Sequence, residues 1–385
     1  MMNKGLEGVV AAQTRISDVN GQAGELIIGG YRLEELAGKV SFEEVAFVLW
    51  NLGLGKGPEL PTKRQLDDLR EELSGYRTLP DTALSVVQEA RNALPMDALR
   101  MAVSLLSLDD PDIADNSAEM NLKRAKILTA RVPTVIAAHD RARKGQPPIP
   151  PNRELGHAAN FLSMLHGETP SPEAAKALDT YWTTVIDHGM NASTFTARVI
   201  ASTESDMYSA VVGAIGALKG PLHGGAPGPV LDMLLDIKTL DRAESWVRKE
   251  IAGGRRIMGF GHRVYKVRDP RADVLKHAVE ELNRSGKGDK QLYDLATGVE
   301  KTVLQVLEEV KPGRNLKTNV EFFTALVLQS IGLRPDQFSS LFAAGRTGGW
   351  TAHILEQLAN NRLIRPASIY DGPRDLKYVP IHLRK

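Results

Sequence analysis

The chain contains no cysteine in 385 residues, which excludes disulfides, thiolate catalysis and every cysteine-ligated metal site. Neither sign of charge is in excess: 48 Lys and Arg stand against 47 Asp and Glu, a net charge of +1. That balance argues against a surface dedicated to nucleic acid or anionic membrane, a local basic patch aside. Long apolar runs are missing too, because charges interrupt each one well short of the ~18 to 20 residues that span a bilayer. The start, Met1-Met2-Asn3-Lys4-Gly5-Leu6-Glu7, has no signal-peptide apolar core. What remains is the ordinary make-up of a soluble globular protein, 42% hydrophobic and 25% charged. The expectation is a cytoplasmic chain, without membrane or nucleic-acid partners, with room for one large domain and a smaller one.

Only the N-terminus reads as strand. Gly8-Val9-Val10-Ala11-Ala12 and Glu25-Leu26-Ile27-Ile28 flank turn chemistry at Asp18-Val19-Asn20-Gly21, where Asn-Gly favours positive φ. The pattern then becomes helical to the C-terminus. Ser41-Phe42-Glu43-Glu44 is a capping box, in which serine and glutamate satisfy each other's unpaired backbone donors ahead of Val45, Phe47, Val48 and Leu49. Leu66, Leu69 and Leu73 mark another helix, and the clearest amphipathic stripe runs through Leu292, Leu295, Val299, Val303, Val306 and Val310. Gln146-Pro147-Pro148-Ile149-Pro150-Pro151 is either an interdomain linker or a rigid loop between two helices of one domain, and the second is preferred.

Two short stretches concentrate the chemistry: Gly220-Pro221-Leu222-His223-Gly224-Gly225-Ala226, and Gly259-Phe260-Gly261-His262-Arg263-Val264-Tyr265-Lys266 running on through Asp269-Pro270-Arg271. In each, glycines beside a histidine let backbone approach a ligand closely, and the second is cationic enough for an anion. His223 precedes a helix expected through Val230, Met233 and Leu234. At a helix N-terminus the macrodipole would keep the ring neutral, able to donate to a carbonyl oxygen; the alternative is a histidine that merely caps. An arginine fork at Arg271 near His262 suits a carboxylate beside a carbonyl. Arg263, Lys266 and Arg268 are read instead as solvated surface.

His188, in Asp187-His188-Gly189-Met190-Asn191-Ala192-Ser193, falls at the end of the helix through Leu178, Trp182 and Val185, where it could serve as a C-cap partner. Glu321, in Asn319-Val320-Glu321-Phe322-Phe323, is a carboxylate among apolar side chains. Such surroundings raise a carboxyl pKa and strengthen it as a base; the alternative is an exposed glutamate on an amphipathic helix.

These four segments together resemble the signature segments of the citrate synthase family, in order and at fitting separations, and the resemblance extends from Gly5-Leu6-Glu7-Gly8-Val9 to Arg362-Leu363-Ile364-Arg365-Pro366. The length is similar to that of the shorter prokaryotic forms. The resemblance implies an all-α fold, almost entirely helical with a short N-terminal β-hairpin, in two domains: a large, dimer-forming one over 1–224 and 333–385 and a small one over 225–332. It implies that His223 polarises the thioester carbonyl of acetyl-CoA while Glu321 removes a methyl proton. His262 would protonate the oxaloacetate carbonyl, and citryl-CoA would be hydrolysed to citrate and CoA. His188, Arg271 and Arg346 match oxaloacetate-binding positions, and Arg365 matches an arginine supplied across a homodimer interface. Arg256, Ile257, Met258, Gly259 and Phe260 match a loop whose backbone contacts coenzyme A, and Arg314 a basic position near its phosphates. No metal and no permanently bound cofactor is implied; acetyl-CoA is a cosubstrate.

One departure stands out. The family usually has aspartate where this chain has Glu321, and Thr324-Ala325 replace the usual small residue and glycine. The carboxylate reaches roughly 1.5 Å further, one C–C bond, and a misplacement of about 1 Å can cost on the order of 100-fold in rate. A shift of backbone or rotamer is expected to compensate. Three other readings stay open. A 2-methylcitrate synthase would take propionyl-CoA, and a hydrophobic pocket separates one methylene by only ~1 to 3 kcal/mol. A non-catalytic binder of acyl-CoA or dicarboxylate is disfavoured by the retained histidines and arginines. A metal-dependent hydrolase on His188, His223 and His262 lacks any short-spaced ligand pair.

Overall fold

A computed structural model describes residues 5–224 and 227–384. Among them the only sheet is a three-stranded antiparallel one at the N-terminus, β1 (Ser17–Asn20), β2 (Glu25–Ile28) and β3 (Tyr31–Arg32), with Ser17 opposite Ile28 and Asn20 opposite Glu25. The first strand therefore lies later than the expected Gly8–Ala12, and Asp18 to Asn20 belong to strand. The reason is burial: Val9 and Val10 are exposed, whereas Ile16, Leu26 and Ile28 face the core. The Asn20 side chain accepts from the Gln22 and Ala23 amides and so still makes the turn.

Helices follow without further strands. After α1 (Leu33–Leu36) come α2 (Phe42–Gly53), α3 (Lys63–Tyr76), α4 (Asp81–Glu89), α5 (Pro95–Leu105) and the long α6 (Ala118–Arg143). Next are α7 (His157–His166), α8 (Pro172–Val185), α9 (Ala192–Ala201), α10 (Met207–Leu218), α11 (Pro227–Ile237) and α12 (Leu240–Ala252). The last four are α13 (Pro270–Arg284), α14 (Lys290–Val310), α15 (Val320–Ser330) and α16 (Phe338–Ala359). The Ser41–Glu44 capping box is present at the start of α2, and α14 buries Val299, Val303 and Val306 while Val310 reaches solvent. The proline-rich stretch joins α6 to α7, which pack on each other in one core. It is thus a loop within a domain.

The core is organised around α16, whose side chains are buried along nearly its whole length. Three tryptophans spend their indole donors there: Trp50 on Thr351 Oγ1 (2.9 Å), Trp182 on the Leu341 carbonyl (3.1 Å), and Trp350, from α16 itself, on Ser193 Oγ (3.0 Å). Gly349 lets the end of α8 press against this helix, since a Cβ there would stand 2.1 Å from the Ile186 carbonyl oxygen. That close approach brings Asp187 and His188 against α16, and with them one wall of the site.

Candidate active site

The α8–α9 corner supplies the first wall. Asp187 Oδ2 accepts from the Gly189 amide (3.0 Å) and from Ser17 Oγ, which ties the corner to β1. His353 Nε2 lies 3.2 Å from Asp187 Oδ1, and Arg198 Nη1 donates to His353 Nδ1 at 3.1 Å, which leaves the imidazole proton facing Asp187. Burial works to raise the Asp187 pKa, but His353, Arg346 and Ser17 outweigh it and leave it lowered. Beside this anchor His188 is buried, with Nε2 3.2 Å from the Tyr265 hydroxyl. Its pKa falls well below the usual value through burial first, then the fields of Arg271, His262 and Arg346. His188 is therefore a buried ring among the other candidate residues, and the C-cap of α8 is Ile186.

His223 sits in the turn between α10 and α11. The helix expected after it, α11, is present, and a second helix start also meets the ring: the Ser193 amide, in the first turn of α9, donates to His223 Nε2 at 3.3 Å. Ser193 Oγ is 2.8 Å from the same nitrogen. With Nε2 accepting, the ring carries its proton on Nδ1. Burial, then Arg346, lowers its pKa to about 4, so the ring is neutral as expected, with burial and a cation as the causes. Gly225 and Ala226, which follow in the same motif, lie outside the described residues.

The second wall is the loop from Gly259 to Asp269 with the starts of α13 and α15. Phe260 bridges to Thr318, the Gly261 amide donates to the Lys317 carbonyl (2.7 Å), the Asn319 amide to the Gly259 carbonyl (2.9 Å), and Asn319 Nδ2 to the Gly261 carbonyl (2.8 Å). The two motifs, distant in sequence, are thus sewn into one unit. Gly259 has φ +82°, and a Cβ there would meet Phe322 Cδ2 at 2.8 Å, so only glycine fits. His262 Nδ1 accepts from the amides of Val264 (3.1 Å) and Tyr265 (3.0 Å), which places its proton on Nε2. Arg271 Nη2 is 3.3 Å from that Nε2. Two donors thus face one another with no acceptor between them, an arrangement that an oxygen of a keto acid would satisfy. Burial, followed by Arg271, lowers the His262 pKa to about 4.

Asp269 is the residue to which the sequence alone assigns no role. It is fully buried, caps α13 through the Arg271 amide (3.1 Å) and grips the Arg271 side chain with both oxygens (3.0 Å to Nε, 2.8 Å to Nη2). It also accepts from the Val320 amide at 3.1 Å, locking the start of α15 to the same carboxylate. Its signal was its position two residues before Arg271, where an N-cap aspartate belongs. Burial alone would lower the Arg271 pKa, but Asp269 leaves it raised.

Glu321 projects from the first turn of α15, its amide capped by Asn319 Oδ1 (3.0 Å). Its Oε2 is enclosed and has no hydrogen-bond partner among the described residues. Burial, against the pull of Arg271, raises its pKa to about 7. Arg346, on α16, is buried with Nε donating to the Val185 carbonyl (2.6 Å) and its guanidinium 4.7 Å from the centre of the Phe342 ring; it makes no ion pair among the described residues. Burial lowers its pKa to about 10, still cationic at neutral pH.

The structure thus brings together His188, His223, His262, Arg271, Glu321 and Arg346. Arg256 and Arg314 are exposed on neighbouring loops, with Ile257, Met258, Gly259 and Phe260 leading into the site. Arg365 is not in this cluster: it is exposed on the irregular segment after α16, without a hydrogen bond or ion pair among the described residues. Of the charged residues read as surface, Arg263 and Lys266 are exposed, whereas half-buried Arg268 bonds Glu300 (2.6 Å) and Thr318 (3.1 Å). A cavity of about 500 Å³ bordered by Trp50, Lys56 and Lys126 contains none of the site residues. No group of metal-ligating side chains occurs among the described residues, and none of their helices is long and apolar enough to cross a membrane.

Comparison with known proteins agrees with this geometry. The sequence profile of the family described as citrate synthase, C-terminal domain, matches residues 5–367. A citrate synthase of Haloferax volcanii is 41% identical over 391 residues, covering 100% of this chain and 99% of its own. A 2-methylcitrate synthase of Mycobacterium tuberculosis is 40% identical over 373 residues, covering 96% of this chain and 91% of its own. The structure of a Thermoplasma acidophilum citrate synthase, solved as a ternary complex with carboxymethyl coenzyme A and oxaloacetate, superposes with a TM-score of 0.88 at 31% identity, covering 100% of both chains. With a family profile matched over residues 5–367, relatives aligned along the whole length and a shared helical architecture, the chain belongs to the citrate synthase family.

Proposed function

We propose that the protein condenses acetyl-CoA with oxaloacetate to citryl-CoA and hydrolyses it to citrate and CoA. The observation that carries this reading is Glu321, a carboxyl with one enclosed oxygen that has no partner among the described residues and a pKa of about 7, set among neutral histidines and two buried arginines. A base with that pKa is half ionised at neutral pH, and it can take a proton from a thioester methyl group when a donor polarises the carbonyl at the same time. His223, with its proton on Nδ1, donates to the thioester oxygen as enolate charge develops. His262 Nε2 and the Arg271 fork receive the keto acid, its carbonyl on the imidazole and a carboxylate on the guanidinium. The His262 proton passes to the carbonyl oxygen as the enol attacks, and Arg346 holds a carboxylate at the α16 wall. Coenzyme A lies along Arg256 to Phe260 with its phosphates toward Arg314.

Residues 225–332 form the smaller domain in this reading, closing on 1–224 and 333–385 once oxaloacetate is bound, which keeps water from the enol. A smaller scattering radius with oxaloacetate is the expected result. The protein acts as a homodimer, with Arg365 completing the partner's site. The exposed Ile369, Tyr370, Leu376 and Tyr378 beyond it give that segment an apolar surface suited to a second copy.

The test is thiol release on mixing oxaloacetate with acetyl-CoA, and in parallel with propionyl-CoA. Release that requires both substrates and disappears in Glu321→Ala supports the reading; an alanine variant at wild-type rate removes Glu321 from the mechanism. A higher kcat/KM on propionyl-CoA would instead assign 2-methylcitrate synthesis, the reading that the 40% identity to such an enzyme favours as second.

A further inference from the structure

One buried polar side chain in the site has no role in the scheme above. Tyr181 on α8 is wholly inaccessible, yet its hydroxyl has no hydrogen-bond partner among the described residues. Buried tyrosine hydroxyls normally find one. Tyr181 lies one helical turn before Val185, whose carbonyl holds Arg346 Nε at 2.6 Å, so both face the same side of α8. The helix α8 packs against α13, α15 and α16. The charged groups whose fields reach the hydroxyl are Glu321 from α15, Arg346 from α16 and Arg271 from α13. Glu321 Oε2, on the facing α15, is likewise without a partner among the described residues. A phenol with a proton to give and a carboxyl oxygen that accepts nothing thus sit, not bonded to each other, on two helices that pack together.

We propose that Tyr181 is a positioning residue for the base: its O–H donates to Glu321 Oε2 once Glu321 is ionised, aiming the carboxylate at the acyl carbon. The inference rests on the reading of Glu321 as the base. Glutamate carries one more rotatable bond than aspartate, and a fixed donor beside one oxygen removes that freedom while leaving the other oxygen for the proton. The bond also favours the ionised carboxyl over the neutral one. The remaining groups around Glu321 are Asp269 and Arg271 at the start of α13 and Arg346 on α16; no ion pair joins it to α11 or α8 among the described residues.

The experiment is Tyr181→Phe in the full chain, with kcat and KM for both substrates measured from pH 5 to 9 and the Tm recorded alongside. A charge-assisted hydrogen bond predicts a fall in kcat of roughly 10- to 100-fold. The acidic limb of the kcat profile should move up by about one pH unit, with KM for oxaloacetate nearly constant. Because phenylalanine deletes an unpaired buried hydroxyl, Tm should hold or rise. An unchanged kcat and pH limb, a loss confined to KM for oxaloacetate, or a lowered Tm with a parallel loss at every pH would each overturn the proposal. Glu321→Gln separates the two layers. If it retains turnover, the base reading itself fails; if it is inactive while Tyr181→Phe matches the wild type, only the role of Tyr181 fails.

Discussion

The two arginine-bearing walls of the site hold their charge in opposite ways. On the α13 wall, Arg271 is clamped by both oxygens of Asp269, and the same carboxylate secures the ends of two helices. On the α16 wall, Arg346 is just as deeply buried but leans on a carbonyl and an aromatic face, with no paired carboxylate among the described residues. A clamped cation is part of the scaffold and is aimed by it. An unpaired one strains the scaffold, and gains most from an arriving anion. The first wall is therefore built for geometry and the second for affinity.

The largest expected effect tests the element that both walls share. Glu321→Gln should lower kcat by on the order of 100- to 10,000-fold, the range for loss of a general base, while oxaloacetate binding measured by calorimetry persists, because its arginines remain. Loss of binding as well would merge the two walls into one cooperative unit. Arg271→Met, next in size, should strip Asp269 of its counter-charge and destabilise the fold by about 3 kcal/mol or more in denaturant titration. The matching Arg346→Met should leave stability unchanged or raise it, since it removes a buried unpaired cation, and still abolish tight oxaloacetate binding. Equal destabilisation by the two variants would break the comparison. Gly259→Ala, at a positive φ and against Phe322, should destabilise by about 1 to 3 kcal/mol and disturb the loop that carries His262.

The smallest effect is on pH dependence. Glu321, at about 7 in the fold against 4.5 ordinarily, holds a proton that the unfolded chain releases, so its contribution to stability falls as pH rises from about 4.5 to about 7. His223 and His262, at about 4 in the fold against 6.5 ordinarily, lack protons that the unfolded chain binds, so theirs rises from about pH 4 to 6.5. A Tm series across this window should show Glu321→Gln gaining on the wild type as pH increases. A constant difference would place the Glu321 pKa near its ordinary value.

Local features were legible in the residues themselves. The Ser41–Glu44 box, the α14 stripe and the proline-rich loop each depend on neighbours within a few positions, and each is found where the pattern places it. The motif residues His188, His223, His262, Arg271, Glu321 and Arg346 do converge. The first strand lies later than the β-propensity of Val9-Val10 suggests, because that pair is exposed and joins no strand among the described residues, whereas Ile16 enters the core. The contact of His223 with the start of α9 leaves no sequence pattern, because the two are adjacent only in space. Asp269 and Tyr181 were silent for the same reason: a carboxylate joining two helix starts and a phenol facing a distant glutamate leave no local pattern.

By itself the sequence determined which charges, caps and glycines exist and in what order, because these rest on covalent identity and short-range backbone chemistry. Only the tertiary structure decided which imidazole nitrogen carries a proton, which arginine is paired, and how far burial lifts Glu321. Those depend on desolvation and on fields from groups as distant in sequence as Arg346 is from His223, which act only once packing has removed the water between them.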